Sequence, residues 1–183
     1  MFSFYVCPWC YVTDLMLERP AERYPLDLIP KAFPLWPEGL SHLSSEESEA
    51  LWIRTHAADV RAVAAARAWL GVEGMSLGPW DVGTKPAHIG AEFAAARGRL
   101  KEYRHALFAA QFHRELRLDS RETLCALAIE AGLSADEFNA APEEEAHRRA
   151  VEDDVALAAR LGITAVPALV LDRRYLVVGA RPP

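Results

Sequence analysis

The chain has 183 residues, of which 51% are hydrophobic and 25% charged, and a formal net charge of −6. That composition is globular rather than disordered, and the length suits one large domain or one domain carrying a subdomain. An acidic balance without a dense Lys/Arg block speaks against nucleic acid or an anionic membrane surface as partner.

Phe2-Ser3-Phe4-Tyr5-Val6 predicts a short strand that runs directly into Cys7-Pro8-Trp9-Cys10. A helix is expected from Pro8 to about Arg19, because Pro is tolerated in a first turn where its missing N–H bonds nothing. Tyr11, Leu15 and Leu17 give it an apolar stripe beneath the cysteines, and Pro20 ends or kinks it. Leu26-Asp27-Leu28-Ile29 reads as a second strand. Pro30, Pro34, Pro37 and Gly39 exclude a central strand or a helix, so residues 30–39 are expected to leave the sheet as an extended crossover.

The next hundred residues are predominantly helical. Ser44-Ser45-Glu46-Glu47-Ser48 offers a capping-box start, and the helix runs through Leu51, Trp52, Val60 and Val63 to Leu70, with Gly71 as its C-cap. Residues 74–86 hold Gly74, Gly78, Pro79, Gly83 and Pro86 and form a loop; Met75, Leu77, Trp80 and Val82 mark it as packed. Helices follow over Ala87 to Arg97 and through Leu100, Tyr103, Leu107 and Phe112. Asp119-Ser120-Arg121-Glu122 caps the helix that carries Cys125, Gly132 ends it, and Ser134 caps a short turn. Pro142 is placed in the first turn of the last helix, which continues to Leu161 behind the acidic run Glu143-Glu144-Glu145. Val166-Pro167 then enters a strand, Ala168 to Leu171, which Asp172-Arg173-Arg174 turns back into Tyr175 to Val178.

Two cysteines separated by two residues at a strand-to-helix junction read as a redox pair or as half of a metal site. A structural zinc needs two more ligands at compatible spacing. Cys125 lies in an apolar helical stretch as a core thiol and the six histidines are scattered, so no metal is expected. A structural disulfide or two inert core thiols is the plainer alternative. Redox chemistry needs one exposed, ionisable thiol and a second in reach to resolve the mixed disulfide. Cys7 stands just before the helix, where unpaired N–H groups and the macrodipole favour a thiolate. Cys10 lies one turn in. Cys7 is therefore the candidate nucleophile and Cys10 the resolving thiol, with Pro8 holding the turn and Trp9 adding an apolar face for substrate. His88 is a candidate for tuning the Cys7 thiolate, or else a helix-surface or capping residue. Phe33, Trp36 and Trp80 line a groove or pack the core. Val166–Pro167 is open to either isomer on position alone.

Taken together, Cys7-Pro8-Trp9-Cys10 after an aromatic strand and Ala165-Val166-Pro167 entering a C-terminal hairpin resemble the DsbA-like thioredoxin-fold oxidoreductases. Phe33-Pro34-Leu35-Trp36-Pro37, Thr84 with Ala87-His88, Ala106-Leu107-Phe108, Ala131-Gly132-Leu133, Gly162-Ile163 and Gly179-Ala180 are similar to its FrnE-type subgroup. The resemblance implies an α/β, thioredoxin-like fold with a large all-helical insertion, divided as residues 1–39, 40–145 and 146–183. It implies a cis Val166–Pro167 bond facing Cys7, with Val166 and Pro167 receiving an extended substrate segment. The implied activity is thiol–disulfide exchange with protein or small-molecule thiols and disulfides, with no bound cofactor and glutathione as a candidate redox partner. A glutathione-dependent isomerase of related fold is the alternative, against which the paired cysteines argue. No apolar run approaches the ~20 residues that span a bilayer. No secretory leader is visible at the start. The expected location is therefore cytoplasmic. The family continues past the Gly-Ala into a final helix that packs on the sheet; were that helix absent, one sheet face would expose an apolar patch.

Overall fold

The computed structural model describes residues 1–24, 26–40, 43–140 and 144–181; within these, the side chains of residues 19–23, 45, 48, 49, 52, 53 and 55 lie outside the description. The elements are β1 (Phe2–Ser3), α1 (Pro8–Arg23), β2 (Lys31–Ala32), α2 (Ser45–Leu70), α3 (Lys85–Ala96), α4 (Leu100–His113), α5 (Arg121–Glu130), α6 (Ala135–Ala140), α7 (Glu145–Arg160), β3 (Ala168–Leu171) and β4 (Tyr175–Val178). Four strands form one sheet in the order β2-β1-β3-β4. β1 runs parallel to β2, antiparallel to β3, and β3 pairs antiparallel with β4 from Ala168↔Val178 to Leu171↔Tyr175. This is a thioredoxin-like α/β core, and the helices between β2 and α7 make up the large insertion.

Three elements differ from expectation. The first strand stops at Ser3, because Phe4 to Cys7 close a turn in which the Cys7 N–H donates to the Phe4 carbonyl at 3.0 Å. Phe4, Tyr5 and Val6 leave the ladder to fill the core, each at most 6% exposed. The second strand is not residues 26–29, where Leu26, Leu28 and Ile29 are exposed, but Lys31–Ala32. It is an edge strand, the one place where the preceding Pro30 costs no ladder bond. Asp154 of α7 fixes it by accepting from the Ala32 N–H at 2.8 Å and from Lys31 Nζ at 2.6 Å. Finally, α1 passes through Pro20 to Arg23. Its buried face is Cys10, Val12, Thr13 and Asp14 rather than the predicted stripe, because α2 and α4 pack on it from two sides.

The helical block follows the local chemistry closely. Ser44 and Glu47 form the reciprocal capping box of α2, which Gly71 ends in the left-handed region. Ser120 caps α5 by accepting from the Thr123 N–H. The loop before α3 is tied down as its apolar residues suggest. Gln111 donates to the Leu77 and Pro79 carbonyls, and Ser76 N–H to that of Phe112. Gly39 lets two loops cross: a Cβ there would lie 2.8 Å from the Asp81 carbonyl oxygen. Residues 141–143, with the Pro142 expectation, lie outside the described residues; α7 begins at Glu145.

The main core joins Phe4, Tyr5, Val6, Cys10 and Val12 to Phe93, Leu107, Phe108, Phe112, Leu127 and Phe138 of the helical block. A smaller cluster of Phe2, Ala158, Ile163 and Ala168 seats α7 on the sheet. α3 touches α4, α5 and α7, and is buried nearly all round, as its alanines and Gly90 permit. Leu171, Tyr175, Leu176 and Val178 of the β3–β4 hairpin are exposed.

Candidate active site

The turn Phe4–Cys7 delivers two thiols into different surroundings. Pro8 occupies the first helical position, so Cys7 sits just outside α1, where its carbonyl accepts from the N–H groups of Cys10 and Tyr11 at 3.0 and 3.2 Å. Cys7 is half-buried and Cys10 fully buried, and both are free thiols. The Cys10 Sγ accepts from the Phe4 N–H at 3.4 Å. Burial, then the neighbouring Cys7 sulfur, push the Cys10 thiol well above its ordinary range; the Phe4 N–H and the Arg104 charge oppose them.

The loop after α7 supplies the second wall. The Val166–Pro167 peptide bond is cis, and the Cys7 Sγ lies 3.9 Å from the Val166 carbonyl oxygen, a long sulfur contact. Pro167 is buried, Val166 half-buried, and the Pro167 carbonyl accepts from the Gly179 N–H at 2.8 Å, which anchors the loop to the end of β4. Thus Cys7, Pro8, Cys10, Val166 and Pro167, 159 residues apart at the Cys7–Val166 contact, converge on one spot.

Trp9 is held by the insertion. Its indole N–H donates to the Ala58 carbonyl of α2 at 3.1 Å, and its ring lies 6.1 Å from that of Trp69. Trp36 packs edge-on against Phe4 at 5.3 Å, while Phe33 packs with the sheet cluster. Trp80 is half-buried in the loop before α3. His88 lies against Tyr5, with the two rings 4.6 Å apart; it is 3% exposed with Nε2 unpartnered, and burial lowers its pKa to about 3. Among the described residues no hydrogen bond or ring contact joins it to either active-site cysteine. Cys125 is half-buried and accepts from Asn139 Nδ2 at 3.5 Å.

One pair escaped the sequence reading. Asp14 of α1 and Arg104 of α4 form a buried ion pair through Oδ1 and Nη2, one helical turn below Cys10. Its signal was present: Arg104 stands on the apolar face of α4 between Leu100 and Phe108, where an unpaired charge is not tolerated. Among the described residues no group of three or more His, Cys, Asp or Glu side chains is arranged to hold a metal ion.

Comparison with known proteins agrees with this geometry. The family profile described as DSBA-like thioredoxin domain matches residues 1–183. A probable DsbA oxidoreductase from Streptomyces coelicolor is 30% identical, with a TM-score of 0.81 over 99% of this chain and 82% of that one. A 2-hydroxychromene-2-carboxylate isomerase is 17% identical, with a TM-score of 0.76 over 97% and 86% of the two chains. The cytosolic disulfide reductase DsbM from Pseudomonas aeruginosa, solved with GSH, is 22% identical, with a TM-score of 0.68 over 97% and 86%. No curated protein matches the chain.

Proposed function

The chain belongs to the DSBA-like thioredoxin domain family, and from that membership and the Cys7–Val166 geometry we propose a thiol–disulfide oxidoreductase that works through Cys7 and Cys10. The carrying observation is the asymmetry of the pair: a half-buried Cys7 at the helix start, 3.9 Å from the Val166 carbonyl oxygen, with a fully buried Cys10 behind it. In this reading the Cys7 thiolate attacks a substrate disulfide, forming a Cys7–substrate disulfide and releasing one substrate thiol. Cys10 then attacks Cys7 and releases the second. The N-terminal end of the α1 dipole favours the developing charge on Cys7. Pro8 and Trp9 flank the attacking sulfur, and the backbone at Val166 and Pro167 takes an extended substrate segment. His88 has no part in the exchange.

The partners proposed are protein or small-molecule disulfides. Glutathione as redox partner is supported by the GSH-bound relative, and a cytoplasmic location by the relative named as cytosolic. Against a cytosolic glutathione poise of roughly −220 to −320 mV, a strongly oxidising couple rests reduced and acts as reductase or isomerase of disulfides. The tetrapeptide and Phe33 to Pro37 support the finer placement in the FrnE-type subgroup. The working domain limits are 1–39, 40–145 and 146–183. The fold of the chromene-carboxylate isomerase is shared, but two paired thiols have no use in a cofactor-type glutathione isomerisation. Insulin reduction and scrambled-disulfide assays test the proposal: activity should vanish in Cys7→Ser, and equal activity in that variant overturns it.

A further inference from the structure

We infer that Arg104 is a positioning residue for the second half of the exchange: held in the core by Asp14, its guanidinium supplies the positive charge beside which the Cys10 thiolate forms. The inference rests on the proposed role of Cys10 as resolving thiol.

Cys10 and Asp14 are spaced i,i+4 on α1, which brings their Cβ atoms to about 5–6 Å. They are 0% and 5% exposed, and Arg104 is 3% exposed. Arg104 Nη2 binds Asp14, while Nη1 is buried without a hydrogen-bond partner. A guanidinium with one unpaired nitrogen, a turn from a buried thiol, is a fixed charge in a medium where charge is poorly screened.

The resolving step makes use of such a charge. Cys10–SH loses its proton, its Sγ bonds to the Cys7 Sγ, and the bond from Cys7 to the substrate sulfur breaks. The substrate thiolate leaves with the electron pair and takes up a proton. Cys10 is oxidised and the substrate sulfur reduced, so no other oxidant is needed. Burial opposes the ionisation, and the Arg104 charge favours it.

The other titratable groups on the elements packed around this layer are Tyr5 and Cys7, Tyr11 and Glu18 of α1, His88 and Glu92 of α3, Tyr103 and His105 of α4, the Met1 ammonium, Lys31, Asp154 of α7, and His56 and Asp59 of α2. Tyr5, pushed up to about 12, and His88, lowered to about 3, are neutral near pH 7. Lys31 and Asp154 neutralise each other. Met1, lowered to about 6 by burial first and then in part by Arg104, titrates below the range in which the raised Cys10 midpoint is read.

The test is stopped-flow reaction of the reduced protein, in a Cys125→Ser background, with 5,5′-dithiobis(2-nitrobenzoate) across pH. Cys7 releases one coloured thiolate and Cys10 a second. In Cys10→Ala the second phase should disappear; its persistence refutes the exchange reading itself. Asp14→Asn/Arg104→Gln replaces the ion pair by a neutral pair of similar size. Its second-phase midpoint should rise by about one pH unit, with a rate about tenfold lower below the midpoint. Arg104→Lys should hold the midpoint near wild type, and Asp14→Asn alone should lower it. A purely structural role moves no midpoint. Equal midpoints with an intact Cys10-dependent phase overturn the inference and leave the exchange reading standing. If the double variant does not fold, Asp14→Asn decides, since a midpoint that stays or rises is again contrary.

Discussion

The indole N–H of Trp9 donates to the carbonyl oxygen of Ala58 at 3.1 Å. This bond ties the second residue between the cysteines to α2 of the helical insertion, so the insertion grips the active-site turn directly. The Ala58 carbonyl sits inside a helix, where it also serves the α-helical ladder, and losing Trp9 therefore orphans no acceptor.

Trp9→Phe keeps most of the apolar contact and deletes the bond. We expect a loss of about 1 kcal/mol in global stability and a larger local effect. Amide exchange in the middle of α2 should quicken, read by hydrogen-exchange mass spectrometry, while α5 is unchanged. Unchanged exchange across α2 would show that packing alone holds the insertion to α1.

The Asp14–Arg104 pair makes an asymmetric demand on the core. With side chains 6% and 4% exposed, each charge is isolated from water. Asp14→Ala strands the guanidinium and should cost about 3–5 kcal/mol, whereas a paired apolar replacement such as Asp14→Leu/Arg104→Met should lose far less. Urea unfolding of the three proteins measures both. A double variant as unstable as the single one would show that the pair's shape, not its charge balance, is what the core needs.

Much of this site is legible in the sequence. The tetrapeptide, the Pro after Val166, the capping box at Ser44 and Glu47 and the hairpin from Ala168 to Val178 are local signals, and each lies where local chemistry places it. The second strand is not, because Leu26 to Ile29 carries the apolar alternation while the strand itself is set by tertiary bonds from Asp154 and Met1. Likewise the contact of His88 with Tyr5 depends on how α3 is seated, which periodicity does not report. Arg104 was visible as a charge on an apolar face, yet its partner lies 90 residues earlier.

Gly90 shows the same conflict between local and tertiary preference. Inside α3, Gly→Ala ordinarily gains about 1 kcal/mol in helix propensity. Here an added Cβ would lie 2.6 Å from the Tyr103 hydroxyl and 3.0 Å from the Phe138 ring, both buried. Gly90→Ala should therefore destabilise by about 1–3 kcal/mol. Tyr103→Phe in the same chain should recover part of the loss, because it removes the nearest atom. Thermal or urea unfolding decides the sign, and a stabilised Gly90→Ala would mean that the helices separate cheaply.

His88 gives the fold a pH dependence whose sign follows from its burial. Its pKa falls from 6.5 to about 3 because the charged ring is desolvated, with a smaller push from Arg104. Between those values the unfolded chain binds a proton that the folded chain refuses. Stability contributed by the neutral ring is thus complete above 6.5 and lost progressively as pH falls toward about 3. Other carboxylates titrate in the same window, so the quantity to measure is a difference between two proteins. His88→Phe keeps an aromatic ring against Tyr5 and removes the titration. Going from pH 7 to pH 5, wild type should lose about 2 kcal/mol more than His88→Phe in urea unfolding. Parallel losses would mean that the ring gains water or a partner on protonation, and that the core around Tyr5 opens more readily than its packing suggests.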